Sequence, residues 1–115
     1  MKYDLEERTL IFTKNTLQMC RRLPHTIENN EIIKQLVRSA GSIGANYREA
    51  NDSLGRKDFA HKIKIARKES KETLYWLEII SEVNKDFSEE INRLMAECTE
   101  LRNILSAILK KFEPL

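Results

Sequence analysis

Apolar residues recur along this chain at alternating spacings of three and four, which is the period of one face of an α-helix. The pattern predicts four helices, near residues 5–22, 30–51, 55–84 and 87–112. Pro24 ends the first, Asn29 or Asn30 caps the second, "NDSLG" interrupts the pattern before the third, and Asn84 ends it. Asp86, with Glu89 three residues on, is spaced like a capping box for the fourth.

Each helix carries one apolar stripe that is expected to face a shared core. Short connections favour antiparallel neighbours, so we expect an all-α, up-down-up-down four-helix bundle in a single domain over residues 1–115. The predicted core stripes are Leu5, Thr9, Phe12, Thr16, Met19 and Leu23; Ile33, Leu36, Val37, Ala40, Gly44, Tyr47 and Asn51; Phe59, Ile63, Ala66, Ser70, Leu74 and Leu77; and Phe87, Ile91, Leu94, Cys98, Leu101, Leu105, Ile108 and Phe112.

Two helices carry further apolar residues outside these stripes. On the third, Trp76, Ile79 and Val83 form a second stripe with Tyr75 beside it, and on the first, Leu10 and Leu17 lie seven residues apart. Apolar residues on an outer face mark an interface more often than a solvated surface, so these six predict a homo-oligomer. The alternative is a monomeric bundle with broad core faces.

The segment "RSAGSIGANYRE", residues 38–49, places two glycines inside a predicted helix. Each interior glycine costs a helix about 1 kcal/mol relative to alanine, so we expect close packing against a neighbouring backbone in return. Arg38, buried or half-buried, would then pair with Glu49 or Asn46 on a neighbouring turn or subunit. An ordinary packing seam and a subunit or ligand contact both fit this pattern.

Composition narrows the class of protein. The 115 residues are 33% charged, with only two prolines and no apolar run that approaches the roughly 18 residues of a membrane span. The N-terminus shows no signal-peptide core, so we expect a cytoplasmic protein without membrane contact. Cys20 and Cys98 lie at helical apolar positions and are expected to be reduced core thiols.

Charge is unevenly distributed although the net charge is only +2. Residues 56–71 carry a local balance of +5, and residues 72–100 a balance of −6. The basic side chains of the third helix share one helix face, within about 80°. They are Lys57, His61, Lys64, Lys68 and Lys71, with Arg67 at the border.

Such a stripe is suited to a phosphate backbone of RNA or DNA. Two plainer interpretations are a solvated face, or pairing with the acidic fourth helix through Glu89, Glu90, Glu97 and Glu100. With no aromatic residue in the stripe before Tyr75, loose backbone binding is favoured over sequence-specific recognition of a single strand.

The sequence contains few residues spaced for catalysis or metal binding. Asp58 and His61 are spaced to share a metal, but the chain lacks the second pair that a di-metal bundle needs, and His25 has no acidic partner. There is no glycine-rich phosphate loop, and the serines at 39, 42 and 70 have no histidine at helical spacing. Glu69 and Glu72 fit a solvated charged face beside Lys68 and Lys71 better than an acid–base pair. We expect no enzyme activity and no cofactor.

Two segments resemble a known family. Arg38, Ser42-Ile43, Asn46 and Glu49-Ala50, followed by "GRKDFAHKIKIARKESKETLYWLEII" and a long fourth helix, resemble the 23S rRNA intervening-sequence proteins. The resemblance covers essentially the whole chain. It implies a small cytoplasmic bacterial protein whose four-helix bundle assembles into a homopentamer around a central channel. RNA binding in that family is inferred mainly from gene context.

The chain also resembles, more distantly, the accessory variability protein of diversity-generating retroelements, which works with a reverse transcriptase and nucleic acid. Two hypotheses therefore stand. One is a non-enzymatic protein that contacts nucleic acid through the third helix, and the other is a scaffold ring that displays surfaces to a protein partner.

Overall fold

A computed structural model describes residues 4–112, which form four α-helices and one short 3-10 helix around a single core. The α-helices are α1 (Leu5–Arg22), α2 (Ile27–Asn51), α3 (Arg56–Glu82) and α4 (Ser88–Lys110). No strand occurs in this part of the chain. The prediction of an all-α protein with four helices is confirmed, and α1 has the predicted bounds.

Helix α2 begins three residues earlier than expected because the predicted cap is wrong. The side chain of Thr26 accepts a hydrogen bond from the Asn29 backbone N–H, at 3.0 Å, and so caps the helix. Asn29 is only 1% exposed and exchanges two side-chain hydrogen bonds with Asn84, at 3.0 and 2.8 Å. This amide pair joins the start of α2 to the end of α3, and each amide also donates to a backbone carbonyl, of Pro24 or Ile80.

The connection between α3 and α4 also differs from the prediction. Helix α3 ends at Glu82, two residues early, and a 3-10 helix over Lys85–Phe87 leads directly into α4. The predicted capping box is wrong, because neither the 3-10 helix nor α4 has a side-chain cap hydrogen bond. Helix α4 ends at Lys110 rather than at residue 112.

The core is built mainly from the predicted stripes. Phe12, Met19, Leu36, Ile63 and Leu101 are each at most 1% exposed. Several predicted core residues are only half-buried, namely Leu5, Ile33, Val37, Tyr47, Phe59, Leu74, Phe87, Ile108 and Phe112. Asn51 is exposed, contrary to prediction, and its side chain donates to the Glu6 carboxylate at the surface.

In the contacts between neighbouring helices, residue numbers rise along one helix as they fall along the next. The side-chain contacts of α2 with α3 join residues 29 to 84, 39 to 73 and 49 to 62. Those of α1 with α2 join 6 to 51 and 13 to 40. Helices α3 and α4 are joined at 56 to 111 and at 70 to 98.

Helices α2 and α3 share the most extensive contact, and α1 and α4 share the least. The α1–α4 seam is bridged by ion pairs of Arg8 with Glu97 and Glu100 and of Arg22 with Glu90. An open cavity of about 260 Å³ lies along this seam, over Phe12 and Leu94. Ion pairs therefore bridge the seam at which two neighbouring helices contact each other least.

Candidate nucleic-acid interface on the third helix

The basic residues of α3 form one outward surface, which we call the basic face: Lys57, His61, Lys64, Arg67, Lys68 and Lys71. All of them are exposed except Arg67, which is half-buried. Ile63, Ala66 and Ser70 occupy the opposite side of the same turns and are completely buried. The basic residues and the buried residues alternate with the helical period. The basic side chains therefore point away from the core.

The acidic residues of α4 do not neutralise the basic face. Glu97 and Glu100 accept hydrogen bonds from Arg8, Glu90 pairs with Arg22, and Glu89 lies 3.8 Å from Arg93. Among residues 4–112, no carboxylate forms an ion pair with any of the six members of the basic face. Pairing with the fourth helix, one of the two plainer interpretations, is wrong, while solvation of the face is compatible with the structure.

The side of α3 that faces α2 behaves differently. The ammonium group of Lys62 donates to the Glu49 carboxylate at 2.8 Å, and this hydrogen bond raises the pKa of Lys62. Lys62 thus has an ion-pair partner on α2, and it belongs to the α2–α3 contact rather than to the basic face.

An aromatic ring reaches the basic face from the far end of the chain. Phe112 lies just after α4, with its ring centroid 5.3 Å from that of Phe59 and 4.4 Å from the Arg56 guanidinium carbon. It lines an open cavity of about 440 Å³ together with Arg56, Lys57, Ala60, His61 and Lys64. No aromatic residue interrupts the stripe itself before Tyr75, as the sequence shows, and Phe112 joins this surface from outside α3.

Sequence reasoning missed Phe112 and Arg56 as members of this surface. The signal was present, because the expected antiparallel order of the third and fourth helices would bring the end of one beside the start of the other. The periodicity places Phe112 on the core stripe of the fourth helix, and Arg56 enters the sequence prediction as the start of the third helix and as part of the basic balance of residues 56–71.

The Arg38 residue of the resemblance motif ties α2 to α3. Its guanidinium donates to the Glu72 carboxylate at 2.5 Å and lies 3.5 Å from Glu69 Oε1, while the Trp76 indole donates to Glu72 at 3.1 Å. The bond from Arg38, and then that from Trp76, lowers the pKa of Glu72. The expectation that Arg38 pairs with Glu49 or Asn46 on a neighbouring turn is wrong, because α3 supplies both carboxylates.

Two further expectations about this network are wrong. Arg38 is not buried or half-buried, because its side chain is 52% exposed. Glu69 does not lie on a solvated face, because the residue is 8% exposed and its Oε1 atom accepts no hydrogen bond within the described residues.

The other motif residues also serve the packing of α2. The Asn46 amide donates to the backbone carbonyl and to the hydroxyl of Ser42, at 2.9 and 3.0 Å. Ile43 is completely buried in the core, where the periodicity had not placed it. Of the motif residues, Arg38 and Glu49 thus form contacts that cross to α3, whereas the Asn46–Ser42 contact lies within α2.

The predicted oligomer residues differ in exposure. Leu10 and Leu17 on α1 are 41% and 40% exposed, and Tyr75 and Val83 on α3 are 55% and 51% exposed. Trp76 and Ile79 are half-buried and Trp76 packs against the core, so the second stripe of α3 is only partly exposed. The Tyr75 and Trp76 rings meet edge to face at 4.9 Å.

Four candidate nucleophiles of the chain are buried, namely Ser39, Ser70, Cys20 and Cys98. The hydroxyls of Ser39 and Ser70 donate to carbonyls of their own helices and are completely buried. Burial raises the pKa of the Cys20 thiol to about 11 and that of Cys98 to about 12, so both are protonated at neutral pH. Over residues 4–112, no cluster of three His, Cys, Asp or Glu side chains is arranged to hold a metal ion.

Comparison with known proteins identifies the relatives of this fold. The model of the 23S rRNA-intervening sequence protein family matches residues 2–107. The chain belongs to this family. The resemblance carried by residues 38–50 and by the third helix is thereby confirmed.

A solved member shows the same fold. The chain is 33% identical to a protein of unknown function from the S23 ribosomal protein family of Bacteroides thetaiotaomicron VPI-5482, whose crystal structure was determined at 1.70 Å resolution. The match covers 93% of this chain and 99% of the other, with a TM-score of 0.85. Comparison with curated proteins finds no match. None of the helices within residues 4–112 combines the length and hydropathy of a membrane span.

Proposed function

We propose that this member of the 23S rRNA-intervening sequence protein family is a non-enzymatic cytoplasmic protein that binds the phosphate backbone of RNA or DNA through the basic face of α3. The observation that carries the proposal is the set of exposed cations that form no ion pair within the described residues, while the acidic residues of α4 are engaged elsewhere. The family's name, which refers to 23S rRNA, supports the choice of polyanion.

The basic face has the dimensions of a backbone contact. From Lys57 to Lys71 it extends for about 20 Å along the helix axis, at 1.5 Å per residue. Lysine ammonium groups bind phosphates as point charges and do not read bases, so affinity arises mainly from the release of counterions. We therefore expect binding with little sequence preference.

We also propose that the chain is an antiparallel up-down-up-down bundle that assembles into a ring, a homopentamer by its resemblance to the family. The descending pairing of residue numbers between neighbouring helices supports the antiparallel arrangement. The exposed Leu10, Leu17, Tyr75 and Val83 support the assembly. A ring repeats the basic face on every subunit, so avidity would raise a weak contact to measurable affinity.

A gel-shift series across salt concentrations tests nucleic-acid binding. For the wild type, log affinity should fall with log salt, by about 0.9 per phosphate neutralised on a duplex or about 0.7 on a single strand. Changing Lys64, Lys68 and Lys71 together to glutamine should weaken binding to all sequences alike and flatten this slope, with the oligomer intact.

A control variant separates location from net charge. Lys14, Lys34 and Lys85 are exposed lysines on α1, α2 and the 3-10 helix. Their triple glutamine variant removes the same charge and should retain most of the affinity and the wild-type slope. Equal losses in the two variants would contradict a specific role of the basic face.

The second candidate function is a scaffold ring that binds a protein partner and no nucleic acid. The exposed Tyr75 and Val83 favour it, since apolar side chains beside charged ones are typical of protein interfaces. This candidate predicts no retention of RNA at about 0.15 M salt, in the wild type or either variant. The same gel-shift series therefore distinguishes the two functions.

A further inference from the structure

Three side chains lie one against the next at one end of the basic face and form what we call the column; its two rings are tilted by 37° to each other. The Phe59 and Phe112 rings are 5.3 Å apart between centroids, and the Arg56 guanidinium lies over the Phe112 ring at 4.4 Å. Phe59 packs against the core and Arg56 is exposed, so the column runs from the interior to the surface. It ends in a planar cation rather than in a flexible point charge.

The column stands beside an open cavity with a positive lining. The cavity of about 440 Å³ is lined by Phe112 and by the side chains of Arg56, Lys57, Ala60, His61 and Lys64. Its volume lies in the range of about 300–1,000 Å³ that is typical of small-ligand sites. Among residues 4–112, the cavity lining includes no carboxylate, and Lys57 and Lys64 belong at the same time to the basic face.

We propose that this cavity holds one unpaired base of a single-stranded nucleic acid whose phosphates follow the basic face. The base would stack on the Arg56–Phe112 column, and Lys57 and Lys64 would contact the phosphates on either side of it. Aromatic rings and guanidinium planes are the usual stacking partners of unpaired bases, and Arg stacks where Lys does not. This proposal rests on the proposed function and specifies its ligand.

A duplex cannot use the cavity in this way, because its bases are stacked on one another within the helix. Lysine contacts to phosphate, in contrast, are available from both kinds of strand. Base stacking in the cavity would thus add binding free energy for a single strand but not for a duplex. We expect the wild type to prefer a single strand to a duplex of equal charge.

Fluorescence anisotropy with two labelled RNAs tests this preference. One is an oligouridylate of about twelve nucleotides, within the usual size of single-strand binding sites, and the other is a blunt-ended duplex without unpaired bases that has the same number of phosphates. Stacking of one base on a protein side chain changes affinity by about 5- to 160-fold. Phe112→Ala should therefore lower single-strand affinity by that factor, with duplex affinity and the salt slope unchanged.

Arg56→Lys provides a second variant that keeps the charge and leaves the Phe59–Phe112 packing in place. It should also lower single-strand affinity several-fold without a change in the salt slope, and it stays informative if Phe112→Ala unfolds. The matched control is Arg93→Lys, an exposed arginine of α4 that does not line the cavity. This control should bind both RNAs like the wild type.

The outcomes separate this inference from the function on which it rests. Salt-dependent binding of both RNAs with equal affinity, unaffected by Arg56→Lys and Phe112→Ala, overturns the base site and leaves the backbone contact standing. Absence of binding to either RNA by the wild type overturns both. Equal losses in Arg56→Lys and Arg93→Lys also contradict the base site, because the effect would then not depend on the column.

Discussion

Gly44 on α2 faces Thr9 on α1 so closely that a Cβ atom at position 44 would lie 2.8 Å from the threonine Oγ1 and 3.1 Å from its Cβ. Thr9 is 1% exposed, and its hydroxyl donates to the Leu5 carbonyl at 2.8 Å. The close approach of the two helices thus accounts for this glycine. At Gly41 the nearest atom to such a Cβ is Thr13 Cγ2, at 4.0 Å, which is ordinary contact.

The two glycines should respond in opposite directions to alanine. Gly44→Ala should lower the free energy of unfolding by about 1–3 kcal/mol, because the added methyl overpacks a buried contact. Gly41→Ala should raise it by about 0.5–1 kcal/mol, since alanine is the better helix former and has space there. Urea unfolding followed by circular dichroism measures both values, and a change of the same sign in both variants would contradict this account.

The Asn29–Asn84 pair should contribute more to the free energy of unfolding than its position near the helix ends suggests. Asn84→Ala leaves the buried Asn29 amide without two of its hydrogen bonds, and unsatisfied buried polar groups cost about 1–3 kcal/mol each. We expect a loss of this order in urea unfolding. The double variant Asn29→Ala/Asn84→Ala should lose less than the sum of the two single variants, and strict additivity would show that the amides act independently.

Acid should weaken the seam between α1 and α4. Arg22 donates two hydrogen bonds to the Glu90 carboxylate, and these lower the pKa of Glu90 from its usual 4.5. A carboxyl with a lowered folded-state pKa adds stability that is fully present above its unfolded-state pKa and is lost as pH falls through the folded-state value. Arg22→Gln should therefore be less stable than the wild type at neutral pH, by a margin that shrinks below about pH 4.

Urea unfolding at neutral pH and again below about pH 4 checks this expectation. Lys34→Gln is a suitable control, because its partner Glu31 lies on the same helix and both side chains are about 70% exposed. Its small effect should vary little between the two pH values. A margin for Arg22→Gln that is equal at both pH values would mean that the Glu90 pair does not contribute to stability.

Replacing exposed residues of the second stripe of α3 with charged ones should dissociate the proposed ring. Trp76 is partly engaged in the core, so the more exposed Tyr75 and Val83, changed together to glutamate, give the cleaner test. Size-exclusion chromatography with light scattering should show a shift from oligomer to monomer, with helicity unchanged by circular dichroism. Leu54→Glu is the control, since Leu54 is 94% exposed and lies outside both stripes.

A wild type that is monomeric at micromolar concentration would contradict the assembly itself. If instead the oligomer survives the Tyr75 and Val83 changes, the interface lies elsewhere. Glutamate at Leu10 and Leu17 then tests the exposed stripe of α1.

The helices, most of the core and the outward direction of the basic face follow from sequence because helical periodicity is a local property. A residue turns by about 100° and rises by 1.5 Å wherever the chain is helical, so the position of Lys64 opposite Ala66 needs no knowledge of other helices. Pro24 acts locally in the same way, which is why the end of α1 was predicted correctly.

The partners across helices depend instead on axial register and interhelical distance, which no local pattern contains. Asn29 has the residue type of a cap, yet it bonds to Asn84, 55 positions away, while Thr26 caps the helix. Arg38 meets Glu72 rather than Glu49, and Phe112 reaches Arg56 only because α4 ends beside the start of α3. Helical period sets the face on which a side chain lies, and the packing of one helix against the next sets what it meets there.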